Sequence, residues 1–247
     1  MMGKLSLRSF VCGIGAFLLL WALAAHLLAM PVVPPPSEVF ARLAEKFTGV
    51  IAVHAGYSLM RIALGLSLAV AVGYPIGILM GYFPRVNRIL APMLYLAYPV
   101  PKIALLPVVM LIFGVGESGK ILLIFLIIVF QVVVAVRDAT AGIPAATYEP
   151  LRVLGASFWQ MVRHIVLPAS LPKFITAVRI AMATAISVLF FTETFGTKYG
   201  IGYYIMDAWL RVNYLDMYAG IAVLSAIGLL LFALLDAAEH VLCRWKN

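Results

Sequence analysis

The sequence predicts an all-α integral membrane protein with six transmembrane helices, and its composition and apolar runs are the reasons. Hydrophobic residues make up 64% of the 247 residues and charged residues 11%, whereas a soluble domain is roughly half apolar and about a quarter charged. The mean hydropathy is +1.07. Several apolar runs approach or exceed the ~20 residues that a helix needs to cross a bilayer, which excludes an ordinary soluble fold.

Six runs are long and apolar enough to be these helices. They cover residues 10–29, 59–82, 89–113, 120–137, 174–193 and 218–239. Lys4 and Arg8 precede the first run, as basic residues precede a secretory signal. The run is longer than the ~7–15 apolar residues of such a signal, so we expect an N-terminal transmembrane helix that is retained, within a unit of residues 1–30.

Glycines and prolines predict how spans two and three pack. Span two carries glycines at 65, 73, 77 and 81, and small residues at such spacing let two membrane helices approach closely. Span three carries prolines at 92, 99, 101 and 107. A broken helix is tolerated at membrane depth only where protein or a water-filled cavity satisfies the freed carbonyls. We therefore expect span three to line the core of the bundle, with a plain kink of no functional role as the alternative.

Residues 31–57 are predicted to form an outer amphipathic segment. The prolines that open it end the first helix, and Ser37 is placed to cap a new one. Apolar residues then recur at helical spacing from Val39 to Phe47. The pattern suits a helix lying along the outer membrane interface and equally suits an ordinary packed loop helix. The remainder, 58–247, is predicted to be a five-helix core with a cytoplasmic loop at 138–173.

The positive charges orient these spans with both termini in the cytoplasm. Ten Lys and Arg residues then lie inside and five outside, the asymmetry that membrane proteins show, when Arg61, Lys102 and Arg179, which sit within or at the edges of spans, are left uncounted. The ten are Lys4, Arg8, Arg85, Arg88, Arg137, Arg152, Arg163, Lys173, Arg244 and Lys246, and the five are Arg42, Lys46, Lys120, Lys198 and Arg211. The net charge of +8 is not gathered into a stripe, so the lipid bilayer is expected as a partner and nucleic acid is not.

Residues 114–121, GVGESGKI, superficially match two phosphate-binding patterns. Ile121 stands where a P-loop needs Ser or Thr to hold magnesium, and both patterns require a preceding strand. We expect a tight outer turn instead, with glycines at positive φ. The two cysteines and four scattered histidines have no metal-binding spacing, so we predict no metal site and no cofactor bound by this chain.

A polar, amphipathic stretch of residues 148–172, YEPLRVLGASFWQMVRHIVLPASLP, interrupts the apolar runs on the predicted cytoplasmic side. Proline is favoured in the first turn of a helix, so we expect one helix that starts near Pro150 and stops at Pro168 and Pro172. Its apolar face would comprise Leu151, Leu154, Phe158, Met161 and Val162, with Gly155 in the middle of that face. Such a helix suits insertion into a groove of another protein or folding back on its own bundle, and the residues alone leave both open.

The spacing of Glu149, Gly155 and Ile165-x-Leu167-Pro168 resembles the EAA loop of binding-protein-dependent ABC importer permeases. The chain is most similar to the nitrate, sulfonate, taurine and thiamine-precursor group over about 32–245, including the stretches at 102–121 and 192–208. The resemblance implies a type I ABC importer permease fold in which the loop is a coupling helix. The ATPase-docking residues that it implies are Glu149, Pro150, Leu151, Leu154, Gly155, Ala156, Phe158, Ile165, Leu167 and Pro168. Pro150 and Leu151 replace the family's Ala-Ala, so the helix is expected to begin a residue or two later.

The same resemblance implies function and partners. The chain would be the permease subunit of an ATP-driven importer in the bacterial inner membrane, carrying a small solute delivered by a periplasmic binding protein. It would pair with a second permease copy, as a homodimer, and with two ABC ATPases that hold ATP and magnesium; it would not be an enzyme. The alternative is an ion-gradient-driven secondary transporter, which normally needs more spans or inverted repeats. No acid pair, His–Cys arrangement or metal spacing supports an intramembrane enzyme.

Four residues are predicted to line the solute pathway: Glu193, Tyr95, Tyr98 and Phe190. Glu193 follows an apolar run and precedes a glycine-rich break, and a charge at membrane depth usually faces a cavity or a partner. Lys198 is its candidate partner, and a solvated charge at a helix end is the alternative. The aromatic residues are equally suited to plain packing. Arg61 is expected to extend its charged end to the outer interface.

Overall fold

A computed structural model of the protein describes residues 7–246, and within that range the chain is helical and has no β-strand. Lys4 and the side chains of Arg8 and Lys246 lie outside what the structure describes. The helices are α1 (Leu7–Leu28), α2 (Pro36–Lys46), α3 (Ala52–Tyr82), α4 (Pro84–Ala97), α5 (Leu106–Phe113), α6 (Glu117–Ala141), α7 (Ala145–Val153), α8 (Phe158–Met161), α9 (Leu167–Glu193), α10 (Ile201–Leu210) and α11 (Tyr214–Leu242).

The helices confirm the predicted all-α membrane architecture. Five helical segments are long and apolar enough to cross a membrane, and a bent pair, Pro84–Ala97 with Lys102–Phe113, makes a sixth if it is counted as one span. The five are Val11–Leu28, Pro36–Tyr82, Glu117–Ala141, Phe158–Glu193 and Tyr214–Leu242. By its internal contacts the chain forms two compact units: residues up to Met60 with Leu189–Asp236, and Arg61–Val188 with the residues from Ala237 onward.

In the second unit, the glycines of span two contact α6, as the small-residue spacing predicts. A Cβ atom added to Gly65 would lie 2.5 Å from Ile124 Cγ2, and one added to Gly81 would lie 2.5 Å from Thr140 Cβ. The partner of this close contact is therefore a helix of the same chain. Because α6 is the most deeply buried of the candidate spans, it provides the centre of this unit.

Span three is broken, and its two halves differ in burial. Its two halves meet at an angle of 80° across the break at 98–101, which confirms the break that the prolines predict. However, α4 has no buried residue along its length, whereas Leu106 and Val109 of α5 are buried and form a core cluster with Leu123 of α6. The expectation that span three lines the core is therefore wrong for α4 in the single chain, and α5 does pack into the core beside α6.

In the second unit, residues at the start of α6 contact both the turn at 114–116 and Arg61. Gly114 has φ of +77°, which confirms the tight turn, whereas Gly116 has a negative φ. Lys120 Nζ donates to Val115 O at 2.9 Å and so stabilises its own turn. The expectation that Arg61 extends to the interface is wrong: Arg61 is fully buried, and its Nε lies 2.5 Å from Glu117 Oε2.

In the first unit, the predicted outer segment forms a helix that is continuous with span two through a π-helical turn at Phe47–Ile51. The helix begins at Pro36 with Pro35 as the N-cap, so Ser37 does not cap it; proline is well suited to a first helical position. Val39 is buried, and Lys46 Nζ lies 2.6 Å from the buried carboxylate of Asp216. These contacts favour the packed-helix alternative over a helix held only by lipid.

Candidate functional site

The predicted docking helix is two helices in the structure. α7 begins at Ala145 after Pro144, which places Pro150 inside the helix and not in its first turn. It ends at Val153, and Gly155, two residues later, has φ of +73°. Gly155 N donates to Arg152 O and Ala156 N donates to Leu151 O, each at 2.9 Å. This pair of hydrogen bonds is the Schellman motif that terminates helices at a glycine, so the prediction of one continuous helix is wrong.

The second helix starts at once, with its own cap. Ser157 Oγ accepts from Gln160 N at 3.4 Å, and Ser157 N donates to Gln160 Oε1 at 2.6 Å, which is a reciprocal capping box. α8 then continues through a π-helical turn at Val162–Val166 into α9. The predicted stops at Pro168 and Pro172 are therefore wrong. Local π adjustments and neighbouring helices satisfy the backbone groups that a proline frees in a membrane helix.

An aromatic cluster attaches this two-helix segment to the end of α3. The cluster, here called the aromatic anchor, comprises Tyr82, Phe83, Tyr148 and Phe158. The centroid of the Tyr82 ring lies 5.7 Å from that of Tyr148 and 5.1 Å from that of Phe158, and both pairs are edge to face. The centroids of the Phe83 and Phe158 rings are 5.2 Å apart. Such pairs contribute ~0.5–1.5 kcal/mol each beyond their buried area. Burial also raises the pKa of the Tyr148 phenol above its ordinary value.

The predicted docking residues differ in how far they are exposed to solvent. Glu149, Pro150, Leu154, Gly155 and Leu167 are exposed, Leu151, Ala156, Phe158 and Pro168 are half-buried, and Ile165 is buried. Met161 and Val162 of the predicted apolar face are also buried. Most of that face therefore packs inward, and only its exposed members are available to a partner.

Two exposed apolar residues of this segment are not among the docking residues that the sequence predicted. Val153 is 87% exposed and Trp159 is 75% exposed, beside Leu154 at 80%. Because the helix breaks at Gly155, residues on either side of the break present different faces from those that one continuous helix would present. Together with Glu149 and Arg152, these three are here called the docking surface after the role predicted for the segment, and that role stays a prediction. Large apolar side chains clustered in a polar surface mark a protein interaction site.

Glu193, in the first unit, holds the start of α10. Its carboxylate is fully buried and accepts a hydrogen bond from Ser58 Oγ at 2.8 Å and another from Gly202 N at 2.8 Å. Ile201 N in turn donates to Ser58 Oγ at 2.9 Å. A carboxylate at a helix N-terminus is favoured by the helix dipole. The alternative of a solvated charge is wrong. Sequence reasoning missed Ser58, because 135 residues separate it from its partner.

The other predicted pathway residues lie in different places. Tyr95 and Tyr98 are exposed and border an open cavity of about 800 Å³ between α4 and α6, whereas Phe190 is half-buried in the first unit. Tyr98 also borders a second cavity of about 300 Å³, which Lys102 and Gln131 line as well. Whether any of these residues meets the solute stays a prediction.

Comparison with known proteins identifies relatives over nearly the whole chain. The taurine transport system permease protein TauC of Escherichia coli (strain K12) is 33% identical over 234 residues, covering 92% of this chain and 85% of that protein. A Bacillus subtilis (strain 168) protein assigned as the aliphatic sulfonates transport permease SsuC is 33% identical, covering 87% and 79%. The formylaminopyrimidine transport permease protein ThiX of Halalkalibacterium halodurans is 27% identical, covering 93% and 92%.

The fold and the family profile agree with these relatives. A chain of the inward-facing MetNI methionine ABC transporter superposes with a TM-score of 0.66 at 20% identity, covering 80% of this chain and 96% of that one. The profile of the family described as "Binding-protein-dependent transport system inner membrane component" matches residues 73–245. The chain therefore belongs to this family and is the permease subunit of an ABC importer, a transport subunit and not an enzyme.

Proposed function

We propose that this permease receives mechanical energy from a partner ATPase through the docking surface and uses it to move a small polar solute across the inner membrane. The observation that carries the proposal is the exposure of Val153, Leu154 and Trp159 around a helix break that is capped on both sides, by the Schellman motif at the end of α7 and the capping box at the start of α8. Capped helices present these side chains in a defined arrangement, and a preorganised surface loses less entropy when it binds.

Two connections carry force from the docking surface into the membrane spans. The aromatic anchor joins α7 and α8 to Tyr82 and Phe83 at the end of α3. α8 is also continuous with α9 through the π-helical turn. A displacement of the docking surface therefore moves two spans, as alternating access requires. The docking surface and both termini would face the cytoplasm, where the ATPases hold ATP and magnesium.

The proposed assembly contains a second copy of this chain, two ATPases and a periplasmic binding protein. The break in span three supports the second copy, because Tyr98, Pro99 and Val100 are exposed there. Irregular backbone at membrane depth is tolerated only where protein or a water-filled cavity covers it. A homodimer would cover this break on both copies.

The names of the relatives indicate the class of solute. Taurine, aliphatic sulfonates and formylaminopyrimidine are the cargoes in the names of the three relatives described above. We therefore propose a small solute of this kind (nitrate, a sulfonate, taurine or a thiamine precursor), delivered by the binding protein.

Val153→Asp tests the proposed docking. The permease is co-expressed with its ATPase, and we expect the variant to insert normally but to lose the co-purified ATPase and ATP-driven uptake. A charge in the middle of an apolar contact is left unpaired and desolvated. Val212→Asp is the matched control, because Val212 is also exposed but lies between α10 and α11; this variant should retain the ATPase. Full ATPase binding by Val153→Asp, or uptake driven by an ion gradient without any ATPase, would contradict the proposal.

A further inference from the structure

Lys102 lies at the break of span three and satisfies the end of α4. Its Nζ donates to Ala97 O at 2.9 Å and to Tyr98 O at 2.5 Å, two carbonyls near the point where α4 stops. The same Nζ lies 5.0 Å from the centre of the Phe130 ring and 5.4 Å from that of Tyr98. Backbone carbonyls and aromatic faces both stabilise a cation, so the surroundings of Lys102 are those of a charged ammonium group.

These contacts leave part of the ammonium group unused. An ammonium group has three N–H donors, and two of them point to the α4 carbonyls. The C-terminus of a helix carries the equivalent of about half a negative charge, so it does not neutralise a full positive charge. A net positive potential and one donor therefore remain at this position.

Lys102 lines the cavity of about 300 Å³. Its polar side chains, besides Lys102, are the hydroxyls of Tyr98 and Thr184 and the amide of Gln131, all of which can donate hydrogen bonds. None of the described residues that line the cavity is acidic. The volume lies at the lower end of the range for small-molecule sites.

We propose that this cavity is a binding site for the oxyanion group of a small solute, such as a sulfonate, and that Lys102 provides its charge selectivity. The inference rests on the proposed transport function, because it assigns recognition of the solute's negative charge to a site on the transport pathway. A charge at membrane depth costs free energy. Here the ammonium group of Lys102 stabilises the end of the broken helix and also attracts the anion.

The test measures the electrostatic potential at position 184 in the full-length permease, co-expressed with its ATPase and kept in membranes without ATP. Thr184→Cys is introduced after Cys12→Ser and Cys243→Ser. The new cysteine is labelled with two methanethiosulfonates of similar size, one bearing a sulfonate and one a trimethylammonium group. We expect the sulfonate reagent to react faster, and Lys102→Gln to lower the ratio of the two rates by on the order of tenfold, the effect of one nearby charge.

Two controls separate charge selectivity from folding. Thr176→Cys, on the same helix and also exposed, should give a ratio that Lys102→Gln leaves unchanged. Lys102→Arg should keep the high ratio at position 184. An unchanged ratio at position 184 in Lys102→Gln overturns the proposal.

A second measurement keeps Lys102 and so does not depend on the folding of a Lys102 variant. In the Thr184→Cys protein, ethanesulfonate should slow labelling more than ethanesulfonamide does, because the two compounds differ chiefly in charge. Equal protection by both compounds, or by neither, overturns the anion site. Neither measurement uses ATP or uptake. Failure here with intact ATP-driven uptake therefore rejects the site alone, and full ATPase binding by Val153→Asp rejects the proposed function alone.

Discussion

Glycine serves opposite purposes in two regions of this protein. At the contact between α3 and α6, a Cβ atom added to Gly77 would lie 2.7 Å from Val136 Cβ and 2.9 Å from Val133 O. At the end of α7, a Cβ added to Gly155 would meet no atom within 4 Å, but φ is +73°. The first glycine provides space between two membrane helices, and the second provides a backbone conformation that other residues rarely adopt.

The difference follows from the two environments. Between membrane helices the apolar surroundings resemble lipid, so association depends on close packing and small residues allow it. At the surface of the docking segment the chain must reverse within a few residues, and terminating a helix there requires a left-handed residue. Glycine within an apolar membrane span therefore indicates a close contact, whereas glycine in a polar amphipathic segment indicates a helix end.

The largest expected effect is on the α3–α6 contact. Gly77→Ala should destabilise the permease by about 2–3 kcal/mol, because overpacking forces shifts and the nearby Val133 carbonyl belongs to the backbone. Unfolding in detergent, followed by tryptophan fluorescence, measures the change. Gly56→Ala is the matched control on the same helix, since its Cβ would meet nothing within 4 Å. An equal response of the two variants would contradict the packing role of Gly77.

A smaller effect is expected at Gly155, and two variants separate conformation from space. A non-glycine residue in the left-handed region costs ~1–2 kcal/mol, and asparagine tolerates that region better than alanine does. Gly155→Ala should therefore weaken ATPase binding and uptake more than Gly155→Asn does, although Asn is larger. The reverse order would show that a partner needs empty space at Gly155. For each variant, co-purification of the ATPase measures binding and ATP-driven uptake measures transport.

Hydropathy predicted the spans because a bilayer requires a long apolar helix whatever its tertiary neighbours are. The prolines of span three likewise predicted the break. Prolines also occur in the part of the chain that forms α7–α9, yet there Pro150, Pro168 and Pro172 lie inside helices. A proline alone does not reveal whether neighbouring groups satisfy the backbone that it disrupts, and that information is tertiary.

The exposure of the candidate docking residues was predicted in part, for a related reason. Glu149, Leu154 and Gly155 are exposed as docking requires, but Ile165 packs inside, and Val153 and Trp159 were missed. The missing information was local: Gly155 followed by Ser157 and Gln160 is a helix stop followed by a capping box, which signals the break and the change of face. The pairing of Ser58 with Glu193 has no such signal, because the residues meet only in the folded chain.

The smallest effect concerns Ser157, which sets the start of α8 just after the Gly155 turn. Ser157→Ala removes the acceptor of the Gln160 N–H and should cost about 1 kcal/mol, the usual value of an N-cap. The loss falls on α8, so Trp159 should become more mobile while the membrane spans keep their stability. Hydrogen exchange should therefore accelerate at 157–161 and stay unchanged in α6. Ser157→Asp keeps an N-cap acceptor and should restore protection. Protected amides in the alanine variant would mean that the aromatic anchor, through Phe158, holds α8 without its cap.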